Sequence, residues 1–323
     1  MKLMLDLPVK VSSNKIGYKD KILLTGSCFT EEIGYKLKEL KFNVLQNPNG
    51  ILYDPLSISK SILSYLDNKQ FHKKDIFFLN ELWHSWQHHS KFSGKDAEDV
   101  LREINNSQAI AHSFLKEANW IIITVGSSFY YKLSEKGESV SNCHKAPAAN
   151  FIKNFLKTCE TVDALRNSIT LLRTVNPGAN IIFTVSPVKH IKDGLVENNR
   201  SKARLLEAVQ QIAEEMENVF YFPAYELVTD VLRDHRFYKE DLVHPNEQAI
   251  EFVFEHFVNT FVSGEDKKLL EDLKQITTAA KHRVFSGETA LHATFKKVQL
   301  EKIKMIQRQH PHIDLENELQ YFS

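Results

Sequence analysis

The sequence predicts a three-layer α/β sandwich with a parallel sheet, followed by a helical appendage. Two observations carry this. Short apolar runs, each closed by a loop signal, recur between residues 21 and 222, which is how strands buried on both faces read. The segments between them hold helical periodicity, so strand, loop and helix repeat as parallel βαβ units with right-handed crossovers.

The first run is Lys21–Thr25, with a helix-like stretch close behind. Phe42–Leu45 runs into Asn47-Pro48-Asn49-Gly50, Trp120–Val125 into Gly126-Ser127-Ser128, and Asn180–Val185 into Ser186-Pro187. Leu205, Val209, Ile212 and Met216 mark one face of a helix, and Val219–Phe222 is a last short strand. Between Asp75 and Trp86 the pattern changes to a hairpin, Ile76–Leu79 and Leu82–Trp86 about Asn80-Glu81, which reads as an insertion near the site. From Glu247 an amphipathic helix carrying Ile250, Val253, Phe254, Phe257, Val258 and Phe261 closes the α/β domain, residues 1–263. Residues 264–323 turn to Lys, Glu, Leu and Gln and read as two helices, roughly 265–282 and 288–308, with a polar end. Loss of this part is expected to leave the chemistry complete while destabilising the fold through the lost burial of Phe295, Val298 and their neighbours.

Composition narrows the function. The 323 residues hold 41 Lys+Arg against 41 Asp+Glu, so no global field draws phosphate backbones, and nucleic acid is not the expected partner. Asp6 and Pro8 break any apolar run at the start, and stretches such as Trp120–Val125 fall far short of the roughly 20 residues that span a bilayer. Neither export nor membrane insertion is expected. Cys28, Cys143 and Cys159 are an odd count without metal-ligand spacing, which points to a reducing, cytoplasmic setting.

Ligands of such sheets bind beyond the carboxyl ends of the strands, so residues just after each run are the candidates. Ser27, in Gly26-Ser27-Cys28-Phe29, follows the first strand and precedes a helix with Glu31 and Glu32 in its first turn. A nucleophile there would have helix N–H groups beside it to stabilise an oxyanion. Taken alone, the pattern is also that of a tight turn with a capping serine. Asp241-Leu242-Val243-His244 places a carboxylate three residues before a histidine, close enough to fix the tautomer of a general base. Cys28 is a rival nucleophile, since a thiol at a helix N-terminus is expected to have a lowered pKa, but the turn aims Ser27 at the site. His84, His88 and His89 have a spacing that suits a metal only on a helix, and no metal or cofactor is assigned. Trp83, Trp86, Phe129, Tyr130 and Tyr131 offer either a pocket wall or ordinary packing.

The Gly26-Ser27-Cys28-Phe29 stretch, with Thr30 where the motif has alanine, resembles the signature of the GSCFA family, a bacterial branch related to the SGNH (GDSL-like) esterases and lipases. Pro48-Asn49-Gly50 through Tyr53-Asp54-Pro55, Thr124-Val125-Gly126, Asn142-Cys143-His144-Lys145, Ser186-Pro187 with His190, Tyr221 through Glu226, and Arg233 through Tyr238 extend the resemblance over residues 20–262. It implies a flavodoxin-like sandwich in which Ser27 attacks, His244 is the base and Asp241 orients it. It also implies an oxyanion hole from the N–H groups of Ser27, Gly50 and Gly126. Two departures stand out: Ser128 occupies the place of the asparagine in the Gly-x-Asn-Asp block, and Gly26 the place of the aspartate before the nucleophile. Asn49, Ser128, His89, Asn142 and His144 are the residues expected to meet substrate. The expected substrate is a small-molecule or carbohydrate acyl ester, hydrolysed through an acyl-enzyme or passed to an alcohol; a binding module that has lost catalysis is the rival from another class.

Overall fold

A computed structural model describes residues 5–9, 13–281 and 289–323. In chain order the elements are β1 (Lys21–Gly26), α1 (Cys28–Glu39), β2 (Asn43–Gln46), α2 (Pro55–Leu66), β3 (Phe77–Leu79), β4 (Leu82–His84), α3 (Ala97–Glu117), β5 (Trp120–Val125), β6 (Phe129–Leu133), β7 (Ser139–Val140) and β8 (Phe151–Phe155). They continue with α4 (Thr158–Val175), β9 (Asn180–Val185), α5 (Leu195–Glu215), β10 (Val219–Tyr221), α6 (Ala224–Glu226), α7 (Glu247–Phe261), α8 (Lys267–Lys281), α9 (Ala290–Gln309) and α10 (Glu316–Phe322).

Five strands form one parallel sheet in the order β10-β9-β5-β1-β2, the flavodoxin-like arrangement, with the chain reversing direction across the sheet between β1 and β5. Side chains alternate between the two faces. Ile22, Leu24, Trp120, Ile122 and Ile182 pack with α1, α7 and the C-terminal helices, whereas Leu23, Ile121, Ile123, Ile181 and Phe183 pack with α2, α4 and α5. Because both faces are covered, β5 is apolar apart from Thr124 and fully buried, which is why it was legible as a continuous run. β2 begins one residue later than the apolar pattern suggests, since Lys41 takes a positive φ of 66° and Phe42 turns inward to stack on Tyr18.

Two insertions rise beside the sheet. The predicted hairpin is present as β3 and β4, antiparallel, although its second strand ends at His84 rather than Trp86. A second insertion, the antiparallel sheet β7-β6-β8, was not anticipated. Phe129–Leu133 is half-buried along its whole length and shows no two-residue alternation, so nothing marked it as a strand.

The two predicted C-terminal helices occur as α8 and α9, with α10 beyond them; residues 282 and 288 of the predicted bounds lie outside the described residues. Leu269, Leu270, Leu273, Ile276, Ile303, Ile306 and Phe322 join the core shared by α1, α7 and the sheet. Phe295 and Val298, expected to be buried, are instead 38% and 58% exposed, because the buried stripe of α9 runs through Ile303 and Ile306. Leu273→Ala should therefore destabilise the whole fold by about 2–5 kcal/mol, read from urea unfolding. A change near zero would mean that these helices do not share the core.

Candidate active site

β1 ends in Gly26, whose φ is 140° and whose missing side chain leaves room for the neighbouring strand: a Cβ there would sit 2.2 Å from the Thr124 carbonyl oxygen. No aspartate fits at this position, which accounts physically for one departure from the SGNH pattern. Ser27 follows in extended conformation at the N-cap of α1, yet its side chain makes no capping bond. Its Oγ is buried and has no hydrogen-bond partner among the described residues. The hydroxyl is therefore not spent on the helix end, as a capping serine would be.

The edge around Ser27 is built from the other strand ends. Gly126, after β5, lies so close that an added Cβ would come within 3.1 Å of Ser27 Cβ. Asn47, after β2, accepts the Gly26 N–H on Oδ1 at 3.0 Å, while its Nδ2 is buried without a partner among the described residues. Gly50 has a φ of 80°, and a Cβ there would collide with His89 Cβ at 2.2 Å. All three glycines lie at this edge, but the amides read as oxyanion donors are engaged elsewhere. Ser27 N–H donates to Thr124 O (3.1 Å), Gly50 N–H to Asn47 O (2.8 Å) and Gly126 N–H to Tyr53 O (2.8 Å). In this conformation none of them is free to meet an oxyanion. Burial pushes the Cys28 thiol upward, outweighing Lys202 and the first-turn N–H groups of Cys28 and Phe29, against the lowered pKa expected from its place on the helix.

Asp241 and His244 are in contact. His244 Nδ1 lies 2.7 Å from Asp241 Oδ2, and Asp241 Oδ1 accepts the N–H groups of Val243 and His244 at 2.9 and 3.0 Å. These backbone donors, with the imidazole, hold the Asp241 carboxyl well below the usual carboxylate range. The loop is anchored to the same sheet edge: Lys189 N–H, beyond β9, donates to Val243 O at 3.2 Å, and Lys239 Nζ lies 3.6 Å from Glu32 in the first turn of α1. His244 is half-exposed and makes no hydrogen bond to Ser27. Thus Asp241 and His244 are joined to each other, and the contact from His244 to Ser27 is not made.

The residues expected to meet substrate divide into two groups. Asn49 is buried at the edge, its N–H donating to Tyr65 Oη at 3.1 Å and its Oδ1 unpartnered. His89 packs against Gly50 and donates its N–H to Asn49 O at 2.9 Å. Ser128 is turned away and wholly committed to α5: its N–H donates to Ser201 Oγ (2.7 Å) and its hydroxyl to Ser201 O (2.9 Å). Asn142 and His144 belong to the insertions, where Asn142 Oδ1 accepts the His144 N–H at 2.8 Å and His144 Nε2 lies 2.8 Å from Ser85 O. His84 ends β4 and His88 sits in the following turn, so their spacing is not helical; His88 Nδ1 meets Ser85 Oγ at 2.8 Å. The aromatics pack on one another, Trp86 on Phe77 and Phe129 on Phe155.

Sequence reasoning missed Lys202. This α5 side chain is fully buried, has no carboxylate partner among the described residues, and donates to Gly126 O at 2.7 Å and Ser186 O at 2.6 Å, tying together the ends of β5 and β9. Burial pushes it down to about 7, opposed by the nearby Cys28. A signal was present: Asn198, Ser201 and Lys202 extend toward the N-terminus the helix face that continues as Leu205, Val209 and Ile212, and a lysine on a buried face needs a reason.

Burial holds the His88 and His144 rings neutral, pushing them down to about 3 and about 4. An unfolded histidine takes up its proton near 6.5, so below that pH the unfolded chain binds more protons and stability falls. For His88 the loss approaches ~1.4 kcal/mol per pH unit, continuing until the folded ring itself protonates near 3. Urea unfolding at pH 7.5, 6 and 5 should show this decline, and His88→Asn should flatten it. An equal decline in the variant would contradict the assignment.

A sequence model of the GSCFA family matches residues 21–257, and one for the C-terminal domain of GSCFA domain proteins matches residues 273–323. No curated protein sequence matches. Among solved structures, a carbohydrate esterase family 3 from Talaromyces cellulolyticus is similar at 9% identity and a TM-score of 0.38, covering 78% of this chain and 99% of that one. An acetyl xylan esterase from the rumen bacterium Butyrivibrio proteoclasticus is similar at 13% identity and 0.37, over 80% of this chain and 66% of that one. A family two carbohydrate esterase from Clostridium thermocellum, solved in complex with cellohexaose, is similar at 13% and 0.38, over 81% and 68%.

Proposed function

This chain belongs to the GSCFA family, and from that premise and the geometry at β1 we propose that it is a serine esterase or acyltransferase acting on acyl esters, acylated carbohydrate among them. The observation that carries the reading is the Ser27 hydroxyl, buried at the carboxyl edge of a parallel sheet on a helix N-terminus and without a hydrogen-bond partner among the described residues. Ser27 Oγ attacks the acyl carbonyl and His244 takes its proton, with Asp241 fixing the imidazole so that Nε2 is the accepting nitrogen. This requires the loop 239–244 and Ser27 to approach each other when substrate binds, a tightening common between free and occupied hydrolase sites.

With the amides of Ser27, Gly50 and Gly126 engaged, the developing negative charge is met in this reading by the first-turn N–H groups of Cys28 and Phe29 and by Asn47 Nδ2. Water or an alcohol then resolves the acyl-enzyme. A panel of short acyl esters and acetylated sugars tests the proposal: wild type should turn over at least one, and Ser27→Ala none. No turnover of any ester or transfer to any alcohol by wild type would favour a ligand-binding module, a role that fits the separation of His244 from Ser27.

A further inference from the structure

Beside the Ser27 edge is a cavity of about 200 Å³ between the end of β9, α5 and the segment that leads into the His244 loop. Lys189, Lys202, Arg233 and His235 line it together with Tyr225 and Tyr238, and none of its lining residues is acidic. The carboxylates adjacent in sequence to its lining residues have partners of their own. Glu226 accepts the Tyr221 hydroxyl, Asp234 pairs with Arg236, and Asp230 accepts the Thr229 hydroxyl and lines the neighbouring surface cleft. Lys189 Nζ rests 3.8 Å over the Tyr238 ring, and neither it, Lys202 nor Arg233 forms an ion pair among the described residues. Two cationic side chains, Lys189 and Arg233, on a half-enclosed space with no carboxylate in its lining raise the local potential and favour an anion there.

The cavity is also joined to the reacting groups. Lys202 Nζ holds the carbonyl of Gly126, which packs on Ser27, and Lys189 N–H holds the carbonyl of Val243, next to His244. We propose that this cavity is a subsite for an anionic group, a carboxylate or phosphate carried by the ester substrate, an inference that rests on the Ser27 reading for its catalytic meaning. Its volume suits such a group and a few further atoms rather than a whole saccharide chain.

Binding is tested first in Ser27→Ala, without chemistry, by thermal melts in inorganic phosphate or succinate against chloride at matched ionic strength. Either anion should raise the melting midpoint, and adding Lys189→Met with Arg233→Met should abolish the rise. No rise with either anion, or an equal rise after both substitutions, overturns the proposal. Turnover then separates the sources, comparing succinyl with butyryl esters of 4-nitrophenol, and phosphorylated with unphosphorylated acetylated sugars. The anionic member of one pair should be preferred, and the double substitution should reduce that preference about tenfold, the loss expected for a charge-assisted hydrogen bond. Unchanged preference also overturns it. An anion-dependent rise in a protein that turns over no ester would instead retire the Ser27 reading and leave the anion site standing.

Discussion

Asp241→Asn is expected to cut turnover by up to roughly ten-thousandfold while leaving the fold intact, the cost seen when the orienting carboxylate of a serine triad is made an amide. The geometry gives the reason. Asp241 Oδ1 already accepts two backbone N–H groups, so an asparagine would keep its oxygen there and present its NH₂ to His244 Nδ1. The imidazole would then carry its proton on Nε2, the nitrogen that has to accept one from Ser27. Asp241 is exposed, so melting should be nearly unchanged. Because its carboxyl is held well below the ordinary range, it is ionised at neutral pH. Turnover of Asp241→Asn within tenfold of wild type would remove Asp241 from the mechanism.

Ser27→Ala and His244→Ala should each cost about a millionfold in kcat, and the double variant little more than either, because residues acting as one unit are grossly non-additive. The structure makes this test informative, since His244 Nε2 and Ser27 Oγ are not in contact and their cooperation has to be formed during the reaction. Losses that multiply in the double variant would mean that His244 acts on something other than Ser27.

Most of what positions the site was legible because the sheet is buried on both faces. Trp120–Val125 and Asn180–Val185 carry the apolar runs that such burial demands, and their boundaries agree with the structure to the residue. Asp241 and His244, three apart in a short loop, were close enough in sequence for their contact to be read locally. Ser128 shows the limit of such reading. Its place in a motif block says nothing of the partner, and Ser201 of α5, distant in sequence, claims both its amide and its hydroxyl. The three glycine-edge amides were illegible for the same reason: whether an N–H is free depends on carbonyls such as those of Tyr53 and Thr124 that only the folded edge brings near. Lys202 was hidden by the usual expectation that a lysine in an amphipathic helix faces water. Strands β6 and β8 left no periodic trace because they are covered on neither face completely.

The central claim is that Ser27, and not its neighbour Cys28, carries the acyl group. Treatment with a fluorophosphonate, digestion, and tandem mass spectrometry of the peptide that begins the α1 helix decide between the two side chains. The account predicts a phosphonyl adduct on Ser27, present in Cys28→Ala and absent in Ser27→Ala. An adduct on Cys28, or none under conditions that label a control serine hydrolase, would contradict it.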